Sequence, residues 1–314
     1  MVKLKDEKSM AKITVIGSFV MDNVAKMKSF PQAGETVLGY SLGLFPGGKG
    51  ANQCVAAARL GGDVEMVGML GKDGNGDVFR KILKEEGIKQ DNVFACDVPT
   101  AIAQIQINDE GQNRICVIPC ANYEFTFEHL DKVDEVIKNT EILILQLEML
   151  LDVTKEVIRR AHAYGVKILL NPAPAVKLES EILGMVDYLT PNETELAILT
   201  DMPTGTDEEV ISAANKLIAY GTKTVIATLG GRGALIATAD GAKIVSGYKV
   251  KAIDTVAAGD SFNGAFAVAI SEGKDLESAV KFANAMGALT VQKEGAIPSL
   301  HTRAQVEEFI AKNA

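Results

Sequence analysis

Short aliphatic runs alternate with longer amphipathic or small-residue segments along most of this chain. The runs are rich in Val, Ile and Leu and nearly continuous, which is typical of strands buried on both faces and followed by covering helices. The pattern therefore predicts an α/β fold with a doubly wound, mostly parallel sheet. In the predicted helix 76–87, Val78, Ile82 and Leu83 form the apolar face. The predicted strands are 12–17, 64–70, 141–147, 166–171, 186–190 and 224–230, and the predicted helices are 50–62, 76–87, 152–164, 193–200, 207–220, 260–272, 275–292 and 302–313.

Two segments interrupt this alternation. Residues 20–46 and 101–118 have the alternating pattern of extended strands, with no helix between the strands. In 101–118 the turn-forming residues 108–113 separate two such strands and predict a hairpin. We expect a small β-sheet lid within a single domain that spans 12–314, with residues 1–11 as a loose N-terminal tail. The lid has an apolar face to bury, which predicts a homodimer formed through the lid.

The composition excludes several classes of protein. Of 314 residues, 47% are hydrophobic and 23% are charged, with no apolar run of membrane-spanning length. The net charge of −9 argues against nucleic acid or an anionic membrane as partner. The charged N-terminus is not a signal peptide, and four Cys form no disulfide framework, so we expect a cytoplasmic protein. We interpret Cys116 and Cys120 as structural rather than metal-binding, and His129, His162 and His301 as surface residues.

A glycine-rich segment, residues 43–53, nearly matches a phosphate-binding P-loop. The spacing G-x-x-x-x-G-K ends at Lys49, but Gly50 follows where a P-loop has the Ser or Thr that binds magnesium. The segment also follows a predicted lid strand rather than the first buried strand. No G-x-G-x-x-G fingerprint of a dinucleotide-binding fold follows the first strand either. The residues alone leave open a broken P-loop, a chance glycine-rich segment or a loop for another ligand.

Small residues precede a helix near residue 260. Ala257, Ala258 and Gly259 lead into Asp260 and then into a clear helical pattern. Such a turn exposes backbone N–H groups at the positive end of the helix dipole, which predicts an anion hole with Asp260 as an ionised carboxylate at its edge. The alternative is that Asp260 only caps the helix.

Polar or glycine-rich turns follow four other predicted strands. In 190–195, Asn192 and Glu195 are candidates to reach a phosphate–magnesium assembly, the Glu through metal-bound water. Glu148 ends the strand 141–147, and 171–175 and 228–234 follow two more strands. In the segment 228–234 the glycines allow a ligand close to the backbone and Thr228 adds a hydroxyl; the alternative is a plain turn between two strands. Because ligands bind at the carboxyl ends of parallel strands, we expect these turns to surround one site.

Together these segments resemble the motifs of a known enzyme family. GGKGANQ, NPAPA, PNETE, TLGGRG and DTVAAGDSFNGAF occur in the order and spacing of the ribokinase-like (pfkB-type) carbohydrate kinases, over residues 12 to 312. The resemblance implies an ATP-dependent kinase that uses Mg²⁺ and K⁺ and transfers the γ-phosphate to the 5-hydroxyl of a pentose such as D-ribose. It implies that Asp260 is the catalytic base and that Ala257, Ala258 and Gly259 form the anion hole.

The resemblance also assigns binding residues by position. The sugar positions are Val20, Asp22, Gly48, Lys49, Gly50, Asn52, Glu148 and Asp260. The nucleotide positions are Asn192, Thr228, Gly230, Gly231, Arg232, Gly233, Gly259 and Asn284. A potassium site is implied at Asp254, Val256, Thr290, Lys293, Gly295 and Ser299, partly through main-chain oxygens, and Glu195 is implied near magnesium.

One sugar position departs from the family pattern. Ribose kinases typically carry Asn where this chain has Val20, and valine cannot hydrogen-bond the 2-hydroxyl. A buried, unpaired hydroxyl costs about 1–3 kcal/mol, so one hypothesis is that 2-deoxy-D-ribose is the preferred sugar. The other is that Asp22 alone suffices to hold ribose. Another sugar or nucleoside kinase, or a non-catalytic sugar-binding relative, are further alternatives; the intact Asp260 turn argues against the last.

Overall fold

The computed structural model describes residues 12–313, and the predicted N-terminal tail, 1–11, lies outside them. Within the described residues no helix is both long and apolar enough to cross a membrane. The strands are β1 (Lys12–Ile16), β2 (Val20–Met27), β3 (Gly39–Gly47), β4 (Asp63–Gly71), β5 (Val93–Cys96), β6 (Ile102–Ile107), β7 (Asn113–Ile118), β8 (Ile142–Leu145), β9 (Lys167–Leu170), β10 (Tyr188–Leu189), β11 (Thr224–Thr228), β12 (Gly233–Thr238) and β13 (Gly241–Ser246). The α-helices are α1 (Lys49–Arg59), α2 (Gly74–Glu85), α3 (Phe127–Lys132), α4 (Asp134–Lys138), α5 (Leu151–Ala163), α6 (Ser180–Leu183), α7 (Glu193–Thr200), α8 (Asp207–Ala219), α9 (Ala258–Ser271), α10 (Leu276–Thr290) and α11 (Arg303–Lys312).

A nine-stranded sheet forms the centre of the fold, in the order β13-β12-β11-β10-β9-β8-β1-β4-β5. Neighbouring strands from β11 to β5 are parallel, and β12 and β13 add an antiparallel edge. This confirms the predicted mostly parallel sheet. The segment 228–234 does turn between two strands, β11 and β12, while β5 and β13 are absent from the sequence prediction.

Helices cover both faces of this sheet, because successive strand residues point to opposite sides. In β8, Ile142 and Ile144 belong to the core packed against α1, α2, α9, α10 and α11. Leu143 and Leu145 belong to the opposite core, packed against α3 to α8. All four side chains are at most 1% exposed, and burying each contributes about 1.5–3 kcal/mol. The nearly continuous aliphatic runs in the sequence therefore reflect burial on both faces.

The buried face of α2 differs from the prediction. Val78 is 41% exposed, whereas Phe79 is 1% exposed and meets Phe19 edge to face with ring centroids 5.2 Å apart. Leu83 is buried as predicted and Ile82 lies at the margin of the core. Successive residues of a helix are about 100° apart around its axis, so Val78 and Phe79 face different directions. The prediction for Val78 was wrong because the larger aromatic side chain of Phe79 occupies the core.

The predicted lid is a separate four-stranded sheet in the order β3-β2-β6-β7. The hairpin β6–β7 turns at Asn108, whose side chain accepts from the backbone N–H of Gln112 (2.9 Å), and β2 pairs in parallel with β6. Several large apolar side chains of β3 and β7 are exposed. They are Tyr40, Leu42, Leu44, Phe45, Ile115, Val117 and Ile118.

Two of the three histidines are not fully at the surface, contrary to the sequence interpretation. His129 is partly buried and stacks on Phe125 with ring centroids 5.7 Å apart. His301 is also partly buried, and burial lowers its pKa. His162 is exposed, as expected. The two corrections share a cause: an imidazole has an apolar body that packs well at the ends of helices even when its sequence neighbours are polar.

Candidate active site

The residues that follow β1, β8, β9, β10 and β11 meet at one edge of the central sheet. Two cavities adjoin there, of about 180 Å³ and about 290 Å³, and both are lined by Thr228, Thr255, Ala258 and Gly259. The smaller cavity also reaches the side chain of Asp260. This edge is where open parallel sheets bind ligands. The expected meeting of the post-strand turns is thus observed.

Asp260 lines the smaller cavity next to Ala258 and Gly259, which line both cavities; it is in the first turn of α9 and is 7% exposed. The chain enters the helix through Ala257, whose φ of 60° is unusual for a residue with a Cβ. The Ala258 N–H donates to the carbonyl oxygen of Thr255 (3.3 Å), and the next N–H groups of α9 lie at the cavity without intrahelical partners. The small side chains of Ala258 and Gly259 leave those groups accessible, which is the geometry of an anion hole.

Two amide side chains from α1 hold the carboxylate of Asp260. Asn52 Nδ2 donates to Oδ2 (2.8 Å), and Gln53 Nε2 donates to Oδ1 (2.9 Å). Asn52 Oδ1 is buried and has no protein partner in the described chain. A hydroxyl group of a bound ligand at this point would supply the donor that this oxygen lacks.

The amide contacts continue from Gln53 into the sheet. Gln53 Nε2 also donates to Asn171 Oδ1 (3.1 Å), and Gln146 Nε2 donates to Gln53 Oε1 (2.8 Å). Asn171 Nδ2 donates to the main-chain oxygen of Thr190 (3.2 Å). Gln146 follows β8 and Asn171 follows β9, so two strand ends support the residues around Asp260.

The same network reaches the anion hole from the other side. Thr190 Oγ1 donates to Asn263 Oδ1 (2.6 Å), and Asn263 Nδ2 donates to the carbonyl oxygen of Gly259 (2.8 Å). The turn that carries the exposed N–H groups is therefore braced by side chains as well as by the helix.

Two further carboxylates, Asp22 and Glu148, lie near Asp260 and Lys49 on the side of the lid. Burial, and then the negative charges of Glu148 and Asp260, raise the pKa of Asp22 to about 7. Glu148 is better supported, because it accepts from Ser18 Oγ (2.5 Å) and from the backbone N–H of Lys49 (3.0 Å). Carboxylates held in this way offer fixed hydrogen-bond acceptors to a ligand rich in hydroxyl groups.

Lys49 supplies the positive charge at this cavity. Burial alone would lower the pKa of its ammonium group, but the carboxylates of Asp260, Glu148 and Glu195 together raise it above its ordinary value. Lys49 is therefore charged, and it lies between the acceptor groups around the lid and the anion hole of α9. Such a group can balance negative charge that enters from either side.

The glycines of the segment 47–50 have a structural role that the sequence did not reveal. Gly48 has φ of 88°, and a Cβ there would lie 2.6 Å from the backbone nitrogen of Val20. A Cβ on Gly50 would lie 2.4 Å from the backbone nitrogen of Ser18. Both glycines thus let the start of α1 pack directly on the chain between β1 and β2. The near-P-loop pattern arises from this backbone packing.

Val20 lies on the face of the lid that carries Asp22, because residues two apart in a strand share a face. It is 4% exposed and packs with Ala101 and Ala103, the latter paired with Asp22 across β2 and β6. This patch is an apolar wall beside the carboxylate of Asp22.

The larger cavity is lined mainly by small and apolar residues. Gly230, Gly231 and Gly233 line one side, and Phe262, Ala288 and Val291 are among the residues on the other. Asn284, also in the lining, uses its Nδ2 to hold the main-chain oxygens of Val245 (3.2 Å) and Ser246 (3.3 Å). This is a shape suited to a flat apolar ring with a polar edge.

Arg232 is the predicted nucleotide residue that does not line either cavity. Its guanidinium forms ion pairs with Glu193 (2.5 Å) and Asp207 at the surface. Asn192 and Glu195 line the smaller cavity and form a reciprocal capping box, each side chain accepting from the other's backbone N–H (2.8 Å). Burial raises the pKa of Glu195.

The predicted potassium residues lie in two neighbouring segments near the anion hole. The carboxylate of Asp254 accepts from the backbone N–H groups of Val256 (3.0 Å) and Gly295 (2.9 Å), which ties the segments together. Thr290 and Ser299 are fully buried, and their hydroxyls donate to main-chain oxygens. Lys293 donates its backbone N–H to the carbonyl oxygen of Thr290 (3.2 Å).

Among residues 12–313, no three His, Cys, Asp or Glu side chains are grouped so that they could hold a metal ion.

Comparison with known proteins decides the class. The sequence pattern of the pfkB family carbohydrate kinases matches residues 10–303. The chain belongs to the pfkB family. As a member of this family it is an ATP-dependent sugar kinase, and the family resemblance predicted from the motifs is confirmed.

Relatives in the pfkB family include kinases named for two sugars. A ribokinase of Bacillus subtilis is 38% identical over 96% of this chain and all of the relative. A deoxyribokinase of Salmonella typhi is 35% identical over 96% of this chain and 99% of the relative. The structure of Arabidopsis thaliana ribokinase complexed with ribose and ATP has a TM-score of 0.90 and 32% identity over 96% of this chain and 98% of that one. The predicted fold is confirmed by this likeness.

Sequence reasoning missed the polar residues that support the site rather than face it. They are Ser18, Gln53, Gln146, Asn171, Thr190 and Asn263. One signal was available for Gln53: this polar residue directly precedes a run of small and apolar residues in α1, 54–58, and polar residues are buried only when they have partners. The partners themselves could not be read from the sequence.

Proposed function

We propose that this pfkB-family enzyme transfers the γ-phosphate of ATP to the 5-hydroxyl of a pentose, with D-ribose as the substrate. The observation that carries the proposal is the position of Asp260, which is buried near the lid-side carboxylates of Asp22 and Glu148 and lines the smaller cavity beside the glycine-lined one. A sugar bound by the lid-side carboxylates and ATP bound along the two cavities would meet at Asp260. The ribokinases among its relatives, one of them solved with ribose and ATP, support the choice of sugar.

In this mechanism Asp260 accepts the proton of the 5-hydroxyl as the oxygen attacks the γ-phosphorus in line with the leaving ADP. The backbone N–H groups of Ala257, Ala258 and Gly259 hold the negative charge that develops on the transferring phosphoryl group. Lys49 balances charge between the two substrates.

The sugar would be oriented by Asp22, Gly48, Lys49, Gly50, Asn52 and Glu148. The carboxylates accept hydrogen bonds from its hydroxyls, and the Asn52 oxygen that lacks a partner accepts another. The nucleotide would contact Asn192, Thr228, Gly230, Gly231, Gly233, Gly259 and Asn284. Arg232 would join them only after leaving its ion pairs with Glu193 and Asp207.

Two cations complete the proposal. Mg²⁺ bound to ATP neutralises the phosphates, and Glu195 would hold one of its waters. K⁺ would be held by the carboxylate of Asp254 and main-chain oxygens among Val256, Thr290, Lys293, Gly295 and Ser299, a hard oxygen donor set that fits it. Asp254 already braces the segment that leads to the anion hole, so occupancy would stiffen that turn.

The test is a coupled ADP-release assay over a panel of sugars, with and without potassium. We expect D-ribose or 2-deoxy-D-ribose to give the highest kcat/KM, and potassium to raise it. A higher kcat/KM for a hexose or a nucleoside would contradict the pentose assignment. Turnover that does not depend on potassium would contradict only the proposed potassium site, not the sugar assignment.

The second candidate is a 2-deoxy-D-ribose kinase, and Val20 favours it. Val20, Ala101 and Ala103 form an apolar wall beside Asp22. A 2-hydroxyl buried against it without a partner would cost ribose about 1–3 kcal/mol, or roughly 5- to 150-fold in discrimination. A preference of the wild type for ribose above tenfold would exclude this reading.

The variant Val20→Asn sharpens this test. It restores an amide that can bond the 2-hydroxyl, so kcat/KM for ribose relative to deoxyribose should rise by about tenfold. Ala103→Ser, which places a polar group on the same wall two residues along the partner strand, is the matched control and should change the ratio less.

We also propose that the chain is a single kinase domain that dimerises through its lid. Leu42 and Leu44 of β3 are exposed on one face of the lid, and Ile115 and Val117 of β7 on the other, so both faces carry apolar side chains that a partner could bury. Sedimentation of the wild type should give the mass of a dimer, and Leu42→Lys with Val117→Lys should give a monomer. A monomeric wild type would contradict the proposal.

A further inference from the structure

Gln53 is completely buried beside the proposed base, and each polar atom of its amide is used. Its two N–H groups go to Asp260 Oδ1 (2.9 Å) and Asn171 Oδ1 (3.1 Å), and its oxygen accepts from Gln146 Nε2 (2.8 Å). A buried amide with three partners is fixed in orientation, because rotating it would leave polar groups unpaired.

The direction of these hydrogen bonds is set by groups that can only accept. The ionised carboxylate of Asp260 must receive an N–H, and so must the main-chain oxygen of Thr190, which takes Asn171 Nδ2 (3.2 Å). Asn171 therefore presents its oxygen to Gln53, and Gln146 its nitrogen. The chain of amides has one consistent arrangement, and that arrangement directs a donor at Asp260.

We infer that Gln53 is a positioning residue for phosphoryl transfer, an inference that rests on the proposed role of Asp260 as base. Asn52 fixes one carboxylate oxygen and Gln53 the other, so the plane of the carboxylate is set. A lone pair then stays directed into the cavity where the sugar hydroxyl would lie. Gln53 is anchored through Asn171 and Gln146 to the ends of two strands, so the sheet helps to fix the orientation of the Asp260 carboxylate.

Loss of the Gln53 donor has two consequences. The carboxylate becomes free to rotate, and small misplacements of reacting groups cost up to about 100-fold in rate. The ionised form also loses a hydrogen bond, so the group binds a proton more readily and activity falls at a higher pH. Binding of ATP is unaffected, because Gln53 does not line the larger cavity.

Other ionisable groups face Asp260 and must be kept apart from this effect. Lys49 of α1, Asp22 of β2 and Glu195 near the start of α7 interact with its charge, and Glu148 interacts with the first two. The pH dependence of kcat at saturating sugar and ATP reports the groups of the substrate complex. Protonation of Asp22 in the free enzyme then does not enter the measurement.

The experiment compares full-length wild type, Gln53→Leu, Gln53→Glu and Asp260→Asn, with Thr222→Val as control. Thr222 is also buried, and its hydroxyl bonds the carbonyl oxygen of Leu183 (3.0 Å), away from the site. We expect Gln53→Leu to lower kcat by about 10- to 100-fold, to leave KM for ATP within about twofold, and to move the acid limb of kcat to higher pH. Thr222→Val should lower the melting temperature without moving that limb.

Wild-type kcat for Gln53→Leu would overturn the inference. So would a lower kcat with an unmoved acid limb, because it would mark a purely structural role. If Gln53→Leu does not fold, Gln53→Glu becomes the test. This variant keeps the side-chain volume but puts a second carboxyl beside Asp260, so the acid limb of kcat should move to a higher pH than in Gln53→Leu. A Glu variant with the wild-type profile contradicts the inference.

The same set of variants separates this inference from the proposed function. Turnover retained by Asp260→Asn would remove the base assignment itself. Turnover abolished in Asp260→Asn but normal in Gln53→Leu would remove only the positioning role. In the Asp260→Asn background, Gln53→Leu should add no further loss, because no base remains to be positioned.

Discussion

The two sides of the site present different chemical groups. On the lid side these are charged and polar side chains, with Asp22, Lys49, Glu148 and Asp260 close together. On the other side, the described residues that line the larger cavity carry no charged side chain. A sugar needs fixed acceptors for its hydroxyls, whereas a nucleotide brings its own negative charge. Under the proposed function, the site would recognise the sugar by side-chain chemistry and the nucleotide by shape and main-chain N–H groups.

The largest expected effect comes from neutralising Asp260, the proposed base, on the charged side. Asp260→Asn keeps the size of the side chain but cannot take a proton, so kcat should fall by about 10²- to 10⁴-fold. The affinity for ADP, measured by calorimetry, should stay within about threefold, because the uncharged cavity is unchanged. Substantial turnover in this variant would contradict the base role, and lost ADP binding would contradict the separation of the two sides.

The next effect tests the uncharged side by its shape. A Cβ on Gly287 would meet only the carbonyl oxygen of Ala258, at 3.7 Å, so a longer side chain would extend into the larger cavity. Gly287→Leu should raise KM for ATP by roughly 10- to 100-fold, since nucleotide and side chain would compete for the same volume. KM for the sugar should not change.

Gly287→Ala is the matched control for this variant. Its single methyl makes an ordinary contact and favours the helix, so KM for ATP should change less than about twofold. An equal rise of KM for ATP and for the sugar in Gly287→Leu would mean that the two cavities are not independent.

A smaller effect follows from the pKa of Asp22, which burial and neighbouring negative charges raise to about 7. Below that pH the protonated group is a poorer acceptor, so kcat/KM for the sugar should fall by up to about tenfold per pH unit. KM for ATP should not follow this curve. A sugar kcat/KM that is flat between about pH 5 and 8 would contradict the role of Asp22.

The same pKa has a consequence for stability. The folded value lies above the ordinary value of 3.8, so the contribution of Asp22 to stability is present at low pH and is lost as the pH rises through 7. Asp22→Asn should therefore raise the melting temperature at pH 8 and have little effect near pH 4. A gain of about 1 kcal/mol corresponds to roughly 2–4 °C in a protein of this size.

Much of the fold followed from the sequence because each buried strand is short, aliphatic and followed by a helix. The pattern failed where two adjacent helix residues compete for the buried face: it assigned Val78 to the core, whereas Phe79 is the buried residue. The rule that ligands bind at the carboxyl ends of strands predicted that Glu148, Asn192 and Asp260 lie at one edge of the sheet. It could not predict the hydrogen bond from Gln53 to Asp260, because the two residues are 207 positions apart and neither carries a local signal for the other.

The packing of Gly48 and Gly50 on the chain before β2 bears on how sugar preference could change over evolution. Any side chain at these positions would collide with backbone atoms, so variation there damages folding before it alters binding. Position 20 lies in the adjoining strand β2, where a change of side chain creates no backbone collision, although Val20 is buried against Ala101 and Ala103. Under the proposed function, substrate preference would therefore change more readily at position 20 than at the two glycines.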